Sequence, residues 1–144
     1  MYNFIQNFHS GWAYVVLILL LITVITSLVG YFNKKQFSST DRKIALFALI
    51  ASHIQFLIGL TLYFVSPNGL NIIQQLGMGG LNSSARLLAL EHPLINLIAI
   101  VLITIGWSKH KKQINGTSKY RTFSIFYGLG LLLILSRIPW HLWF

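Results

Sequence analysis

The chain has 144 residues, of which 55% are hydrophobic and only 9% are charged, and its mean hydropathy is +0.68. These values are typical of an integral membrane protein and argue against a soluble domain. The formal net charge is +9, and the sequence contains no cysteine, which excludes disulfides, thiolate ligands, iron–sulfur clusters and covalently attached c-type haem.

Four apolar stretches follow one another along the chain, at about 11–32, 44–65, 85–107 and 123–140. Each is near the length of about 20 residues that crosses the hydrocarbon core of a bilayer as a helix. Short links between consecutive stretches favour antiparallel neighbours. The sequence therefore predicts an all-α membrane protein whose single domain, residues 1–144, is an antiparallel four-helix transmembrane bundle.

The basic residues are concentrated in two links between the stretches. Nine of the eleven lie between the first and second stretches or between the third and fourth: Lys34, Lys35, Arg42, Lys43, Lys109, Lys111, Lys112, Lys119 and Arg121. Cytoplasmic loops carry such an excess, so we expect a multi-pass protein of the bacterial inner membrane with both termini facing outward. Because orientation explains the charge, the bilayer is the expected partner and nucleic acid is not.

Small and polar residues at helical spacing mark the faces expected to pack together in a membrane. These seams are Thr23, Ser27 and Gly30 in the first stretch, Ala45, Ala48, Ser52, Gln55 and Gly59 in the second, and Ala85, Ala89, His92, Asn96, Ala99, Ile103 and Gly106 in the third. Between the second and third stretches, the loop 66–84 is rich in glycine, and we expect it to contain one interfacial turn or short helix.

Two histidines lie inside apolar stretches, where an ionisable side chain costs a few kcal/mol and is a functional-site hypothesis by default. His53 is near the middle of the second stretch, and His92 is about four residues outward from the middle of the third. That offset corresponds to roughly 6 Å of helix, within the reach of two imidazoles around a macrocycle. The sequence therefore predicts that His53 and His92 are the metal ligands of one haem b. His9, expected at the solvated outer entrance of the first stretch, is the reserve ligand if that stretch faces His92.

Charged residues near the outer ends are candidates for supporting roles. Arg86 lies just above His92 and Arg137 near the outer end of the fourth stretch, so either they anchor the haem propionates or they snorkel to the headgroups. Glu91, the only acid of the membrane region, points about 100° away from His92 and is expected to meet Arg86, Arg137 or His9. His110 among its lysines is expected to be solvated.

Four short motifs carry a family resemblance that covers nearly the whole chain. They are His9-Ser10 before Trp12, His53-Ile54-Gln55 followed by Gly59-Leu60, Glu91-His92-Pro93, and Arg137-Ile138-Pro139-Trp140. Together they resemble small four-span bacterial membrane proteins labelled cytochrome B. The resemblance implies a haem-b electron carrier or a haem-binding subunit, with His53 and His92 as axial ligands and His9 in reserve. A weaker likeness in size and span count to four-span haem-dependent protoporphyrinogen oxidases implies catalysis as a minor alternative.

Three functional hypotheses remain open at this point. The first is an integral membrane b-type haem protein that passes single electrons between a quinol or other donor and a redox partner, rather than a stand-alone enzyme. The second is a haem-free interaction or assembly subunit of a larger complex, in which Glu91, His92, Arg86 and Arg137 form a buried polar network. The third is a proton or metal-ion pathway, which the scarcity of acids in the membrane disfavours. No motif of a hydrolytic enzyme is present.

Overall fold

The structure is a computed structural model that describes residues 1–143. Within this range it is all-helical and contains no strand. The helices are α1 (Tyr2–Phe32), α2 (Ser39–Val65), α3 (Leu70–Leu76), α4 (Ser83–Arg86), α5 (His92–Lys111), α6 (Gly116–Ser136) and α7 (Trp140–Trp143). A 3-10 turn, Met78–Gly80, follows α3, and a wide π turn, Leu87–Glu91, links α4 to α5.

Three segments of the described chain are long and apolar enough to cross a membrane: Tyr2–Phe32, Ser39–Leu76 and Ser83–Lys111. The fourth long helix, α6, is not among them, and its first turns carry Lys119 and Arg121. The predicted stretch 123–140 also runs past the end of α6 at Ser136. Pro139 disfavours helical backbone at the residue before it, so the chain breaks there and α7 begins at Trp140.

Several helices begin before the predicted apolar stretches, and side-chain caps set the starts of α2 and α6 at Ser38 and Asn115. α2 starts at Ser39 instead of 44, since the Ser38 hydroxyl accepts the Asp41 backbone N–H and the Asp41 carboxylate accepts the Ser38 N–H. Such a reciprocal capping box satisfies two backbone donors that the first turn leaves unpaired. The first helix, α1, begins nine residues earlier than predicted, at Tyr2, and has no side-chain cap there.

The four long helices pack in a ring in which α1 contacts α2 and α6, and α5 also contacts α2 and α6. α1 and α5 therefore lie on opposite sides of the group. Ten of the fifteen predicted seam residues are buried between them: Thr23, Ser27, Gly30, Ala45, Ala48, Ser52, Ala89, Ala99, Ile103 and Gly106. The other five are partly buried: Gln55, Gly59, Ala85, His92 and Asn96. α6 contributes the bulky part of the core, and the Tyr127 hydroxyl donates to the Ala45 carbonyl at 2.8 Å.

A close approach at the basic end joins three segments. A Cβ atom on Gly30 would lie 2.4 Å from the Tyr120 ring, so only glycine leaves room for that ring against α1. The Tyr120 hydroxyl lies 2.8 Å from the Asp41 carboxylate and 3.1 Å from the Gln36 carbonyl, and both can accept its proton. The start of α6 is thereby tied to the link between α1 and α2, and the larger cavity lies at the opposite end of the helices.

Candidate functional site

The longer α1 changes the position of His9. The residue lies in the third turn of a helix rather than at an interfacial entrance, and its Nδ1 atom is buried without a hydrogen-bond partner. The prediction that His9 is solvated is therefore wrong. Its ring faces inward because Gln55 Nε2 donates to the His9 carbonyl at 2.9 Å and Trp12 Nε1 donates to the Ala51 carbonyl at 2.9 Å, which holds this end of α1 against α2.

His92 is presented by the π turn that precedes α5. Its backbone N–H bonds to the Leu87 carbonyl, five residues back, instead of the residue four back. The next residue, Pro93, has no backbone N–H. The carbonyl four residues before it would therefore lack its helical partner even in a regular α turn. Single π turns inside helices often occur at functional sites, since they turn a side chain away from the regular helical direction.

Hydrogen bonds fix which nitrogen of His92 is available. His92 Nδ1 lies 2.8 Å from the Arg137 carbonyl, which can only accept, so Nδ1 carries the proton. Asn96 Nδ2 is 3.3 Å from the same nitrogen but donates to the His92 carbonyl at 2.6 Å. The lone pair of His92 is thus on Nε2, the nitrogen that can ligate a metal.

The two imidazoles meet at one cavity. The ring centroids of His9 and His92 are 6.1 Å apart, and their planes are inclined by 80°. Both side chains line a cavity of about 630 Å³ between the four long helices, in the halves opposite the basic links. Its walls are mainly apolar, with contributions from Val16, Leu17, Phe56, Leu97, Ile100 and Ile134. Closed apolar cavities with a few converging polar groups are the usual sites of small molecules and cofactors.

Two further residues contact His9 from α2, and the sequence did not single them out as site residues. Gly59 leaves room for the ring, because a Cβ atom there would lie 3.0 Å from His9 Cε1. Gln55 stands one turn earlier on the same helix, and its Oε1 atom is buried without a hydrogen-bond partner. Their spacing of four residues, which puts both on one helix face, was the signal that could have identified them.

His53 lies elsewhere. Its Nδ1 atom is 2.8 Å from the Leu49 carbonyl and its Nε2 atom is 3.3 Å from the Thr104 hydroxyl oxygen, and it does not line the cavity. Thr104 follows His92 by twelve residues, or roughly 18 Å of helix. The structure therefore does not bring His53 and His92 together, as the sequence predicted. That prediction compared the depth of each histidine in its own apolar stretch, and depth does not determine the register of α2 against α5.

The charged residues near the cavity end of the helices pair with one another. Glu91 bridges Arg86 Nε at 3.1 Å and Arg137 Nε at 3.5 Å, as its position predicted. The side chains of Arg86, Arg137 and Glu91 are 52%, 44% and 33% exposed, so the network is not the buried one that the assembly hypothesis predicted. Neither arginine lines the cavity. Their role as propionate anchors stays a prediction.

His110 is the other correction. It belongs to the last turns of α5 and is only 1% exposed, because its ring packs against Trp107, Phe123 and Phe37. The neighbouring lysines suggested a solvated loop, but the helix continues to Lys111 and the link between α1 and α2 covers this face.

Comparison of the chain with family models, curated proteins and solved structures finds no significant match. The geometry of the cavity is therefore the main basis for a function. Within residues 1–143, no three side chains of His, Cys, Asp or Glu come together as a metal-binding group. The pair of imidazoles could hold a metal ion only if another molecule supplied the remaining ligands, which a porphyrin does with four nitrogens.

Proposed function

We propose that the chain is an antiparallel four-helix bundle of the bacterial inner membrane that binds one haem b and carries single electrons. In this proposal His9 and His92, in place of the pair His53 and His92, would hold the haem iron. The long helices α1, α2, α5 and α6 form the bundle. The basic links at one end orient it with the haem cavity and both termini toward the outer face.

The observation that carries the proposal is the separation of the two rings within the cavity. Two imidazoles on opposite sides of one metal ion have ring centres roughly 6 Å apart, given metal–nitrogen bonds of about 2.0 Å. The observed 6.1 Å agrees with that value. The inclination of 80° between the planes is compatible with axial ligation, because each ring can rotate about its own metal–nitrogen bond.

The polar groups around the pair also fit a haem. His92 Nδ1 donates to a backbone carbonyl, an arrangement that metal-ligating histidines nearly always have and that leaves Nε2 for the iron. His9 Nδ1 is buried without a partner, which is costly for a histidine with a purely structural role. The volume of about 630 Å³ is within the range of cofactor sites, and its walls are mainly apolar.

When bound, haem supplies an iron that cycles between ferric and ferrous states, the chemistry of one-electron transfer. The chain's own contribution would be to hold two neutral imidazoles and to keep the site in a low dielectric. The Arg137 carbonyl fixes the tautomer of His92, and the Arg137 side chain pairs with Glu91 at 3.5 Å. A quinol or another redox protein would be the exchange partner.

The test is a pigment spectrum of the protein purified from cells with ample haem. We expect a reduced-minus-oxidised difference typical of haem b at one haem per chain. If such cells yield a colourless protein that also fails to bind added haem after purification, the proposal is wrong.

A second candidate, the haem-free assembly subunit, has one observation in its favour. Arg86, Glu91 and Arg137 connect α4, the π turn and the end of α6, and such contacts fix the relative positions of helices. It predicts that His92→Ala destabilises the bundle or its complex in a protein that never carried a chromophore.

A further inference from the structure

Two buried polar atoms near the cavity lack hydrogen-bond partners, and they are complementary. His9 Nδ1 is a donor when the imidazole is neutral and Nε2 holds the lone pair, and Gln55 Oε1 is an acceptor. Leaving either group buried and unpaired costs about 1–3 kcal/mol. The two residues are already joined, because Gln55 Nε2 donates to the His9 carbonyl at 2.9 Å.

The His9 ring lies against the face of α2 that carries Gly59, and its Nδ1 atom is nearer to that face than its Nε2 atom. A Cβ atom built on Gly59 lies 3.0 Å from His9 Cε1, 3.6 Å from Nδ1 and 4.0 Å from Nε2. The ring therefore turns its Cε1 and Nδ1 edge toward the face of α2 that carries both Gly59 and Gln55, which are one turn apart. Nε2 is the nitrogen farther from this face.

From this arrangement we infer that Gln55 is the positioning residue of His9. Its Oε1 would accept a hydrogen bond from the His9 Nδ1–H group when the His9 Nε2 atom holds the haem iron. This inference rests on the proposed function. It makes the two halves of the site equivalent, since the Arg137 carbonyl serves His92 in the same way. An acceptor at Nδ1 fixes the tautomer and raises the basicity of the ligand, which stabilises ferric over ferrous iron.

The experiment compares haem affinity and midpoint potential in the wild type, Gln55→Leu and Gln55→Glu. Leucine removes both the acceptor and the Nε2 donor, whereas glutamate keeps an acceptor and loses the donor to the His9 carbonyl. We expect Gln55→Leu to weaken haem binding by about 10–100-fold and to raise the potential of the haem that remains. We expect Gln55→Glu to retain haem and to lower the potential. Gln74→Leu, an exposed glutamine on α3, is the control and should change neither quantity.

The outcomes separate the two proposals. If the wild type binds no haem, the proposed function fails. If the wild type binds haem and Gln55→Leu matches it in affinity and potential, the inference on Gln55 fails and the haem protein stands. If Gln55→Glu loses haem as severely as Gln55→Leu, the residue acts only through its bond to the His9 carbonyl, and the inference is again overturned.

Discussion

His9 on α1 and His92 on α5 face each other across the cavity, with ring centroids 6.1 Å apart, although they are 83 positions apart in the sequence. The helices α1 and α5 lie on opposite sides of the four long helices, and each packs mainly on α2 and α6. Imidazoles that meet from opposite helices across a cavity leave the adjoining helices to close its sides, an arrangement that suits a flat cofactor.

Gly59→Ala tests whether the space beside His9 is required. The added Cβ would lie 3.0 Å from His9 Cε1, so the ring must move away from α2. We expect haem content to fall and the absorption spectrum of the remaining haem to shift, although alanine favours a helix over glycine by up to about 1 kcal/mol. Gly128→Ala on α6, where a Cβ meets nothing within 4 Å, is the matched control and should keep the wild-type spectrum. Equal haem content in the two variants would contradict the role given to Gly59.

Tyr127→Phe tests the packing of α6 on α2. Tyr127 is fully buried and its hydroxyl donates to the Ala45 carbonyl at 2.8 Å, so phenylalanine removes a buried hydrogen bond between the helices, while the carbonyl keeps its bond within α2. We expect the free energy of unfolding in detergent to fall by about 0.5–1.5 kcal/mol. Tyr31→Phe is the control, because the Tyr31 hydroxyl makes no hydrogen bond within residues 1–143, and its stability should equal that of the wild type. A Tyr127→Phe variant as stable as the control would argue against this helix packing.

Glu91→Gln distinguishes the haem protein from the assembly subunit. The variant loses both ion pairs, but their partners are about half exposed, and exposed pairs contribute about 0–1 kcal/mol. We expect a small loss of stability, reduced further at high salt, with haem binding retained. Measurement of unfolding and of haem content on the same preparation checks this. Dissociation of a native complex on Glu91→Gln, with no pigment in either protein, would favour the assembly hypothesis.

The orientation in the membrane can be measured with single cysteines, because the natural chain has none. Ile114 is 98% exposed in the basic link between α5 and α6, and Gln74 is exposed on α3 at the other end. We expect Gln74→Cys to react with an impermeant maleimide on intact spheroplasts, and Ile114→Cys to react only after permeabilisation. The reverse pattern would place the cavity on the cytoplasmic side and contradict the assignment from charge.

The sequence predicted the burial of most seam residues, because small and polar residues at helical spacing mark the helix face that packs on a neighbouring helix. Ala48, Ser52 and Ala99 are examples. It predicted helix ends poorly, since the start of α2 depends on the cap at Ser38 and not on hydropathy. The choice of candidate ligands depended on those ends. Because α1 begins at Tyr2, His9 lies inside the bundle, and the register of α2 against α5 places His53 beside Thr104 instead of His92.

Register between helices is set by contacts that one sequence does not reveal. Gln55 reaching the His9 carbonyl and Trp12 reaching the Ala51 carbonyl fix α1 against α2, and both bonds join residues far apart in the chain. The π turn before His92 adds one residue to a helical turn and changes the direction of every side chain beyond it relative to those before. Pro93 indicated an irregular helix at this position, but it did not predict a π turn.

The most direct test of the central claim is the haem content of three alanine variants, His9→Ala, His92→Ala and His53→Ala, each purified as the full chain from cells with ample haem. The account predicts one haem per chain in the wild type and in His53→Ala, and loss of the wild-type haem-b spectrum in both His9→Ala and His92→Ala. Retention of that spectrum in His9→Ala, together with its loss in His53→Ala, would contradict the assignment of His9 and His92 as the ligand pair.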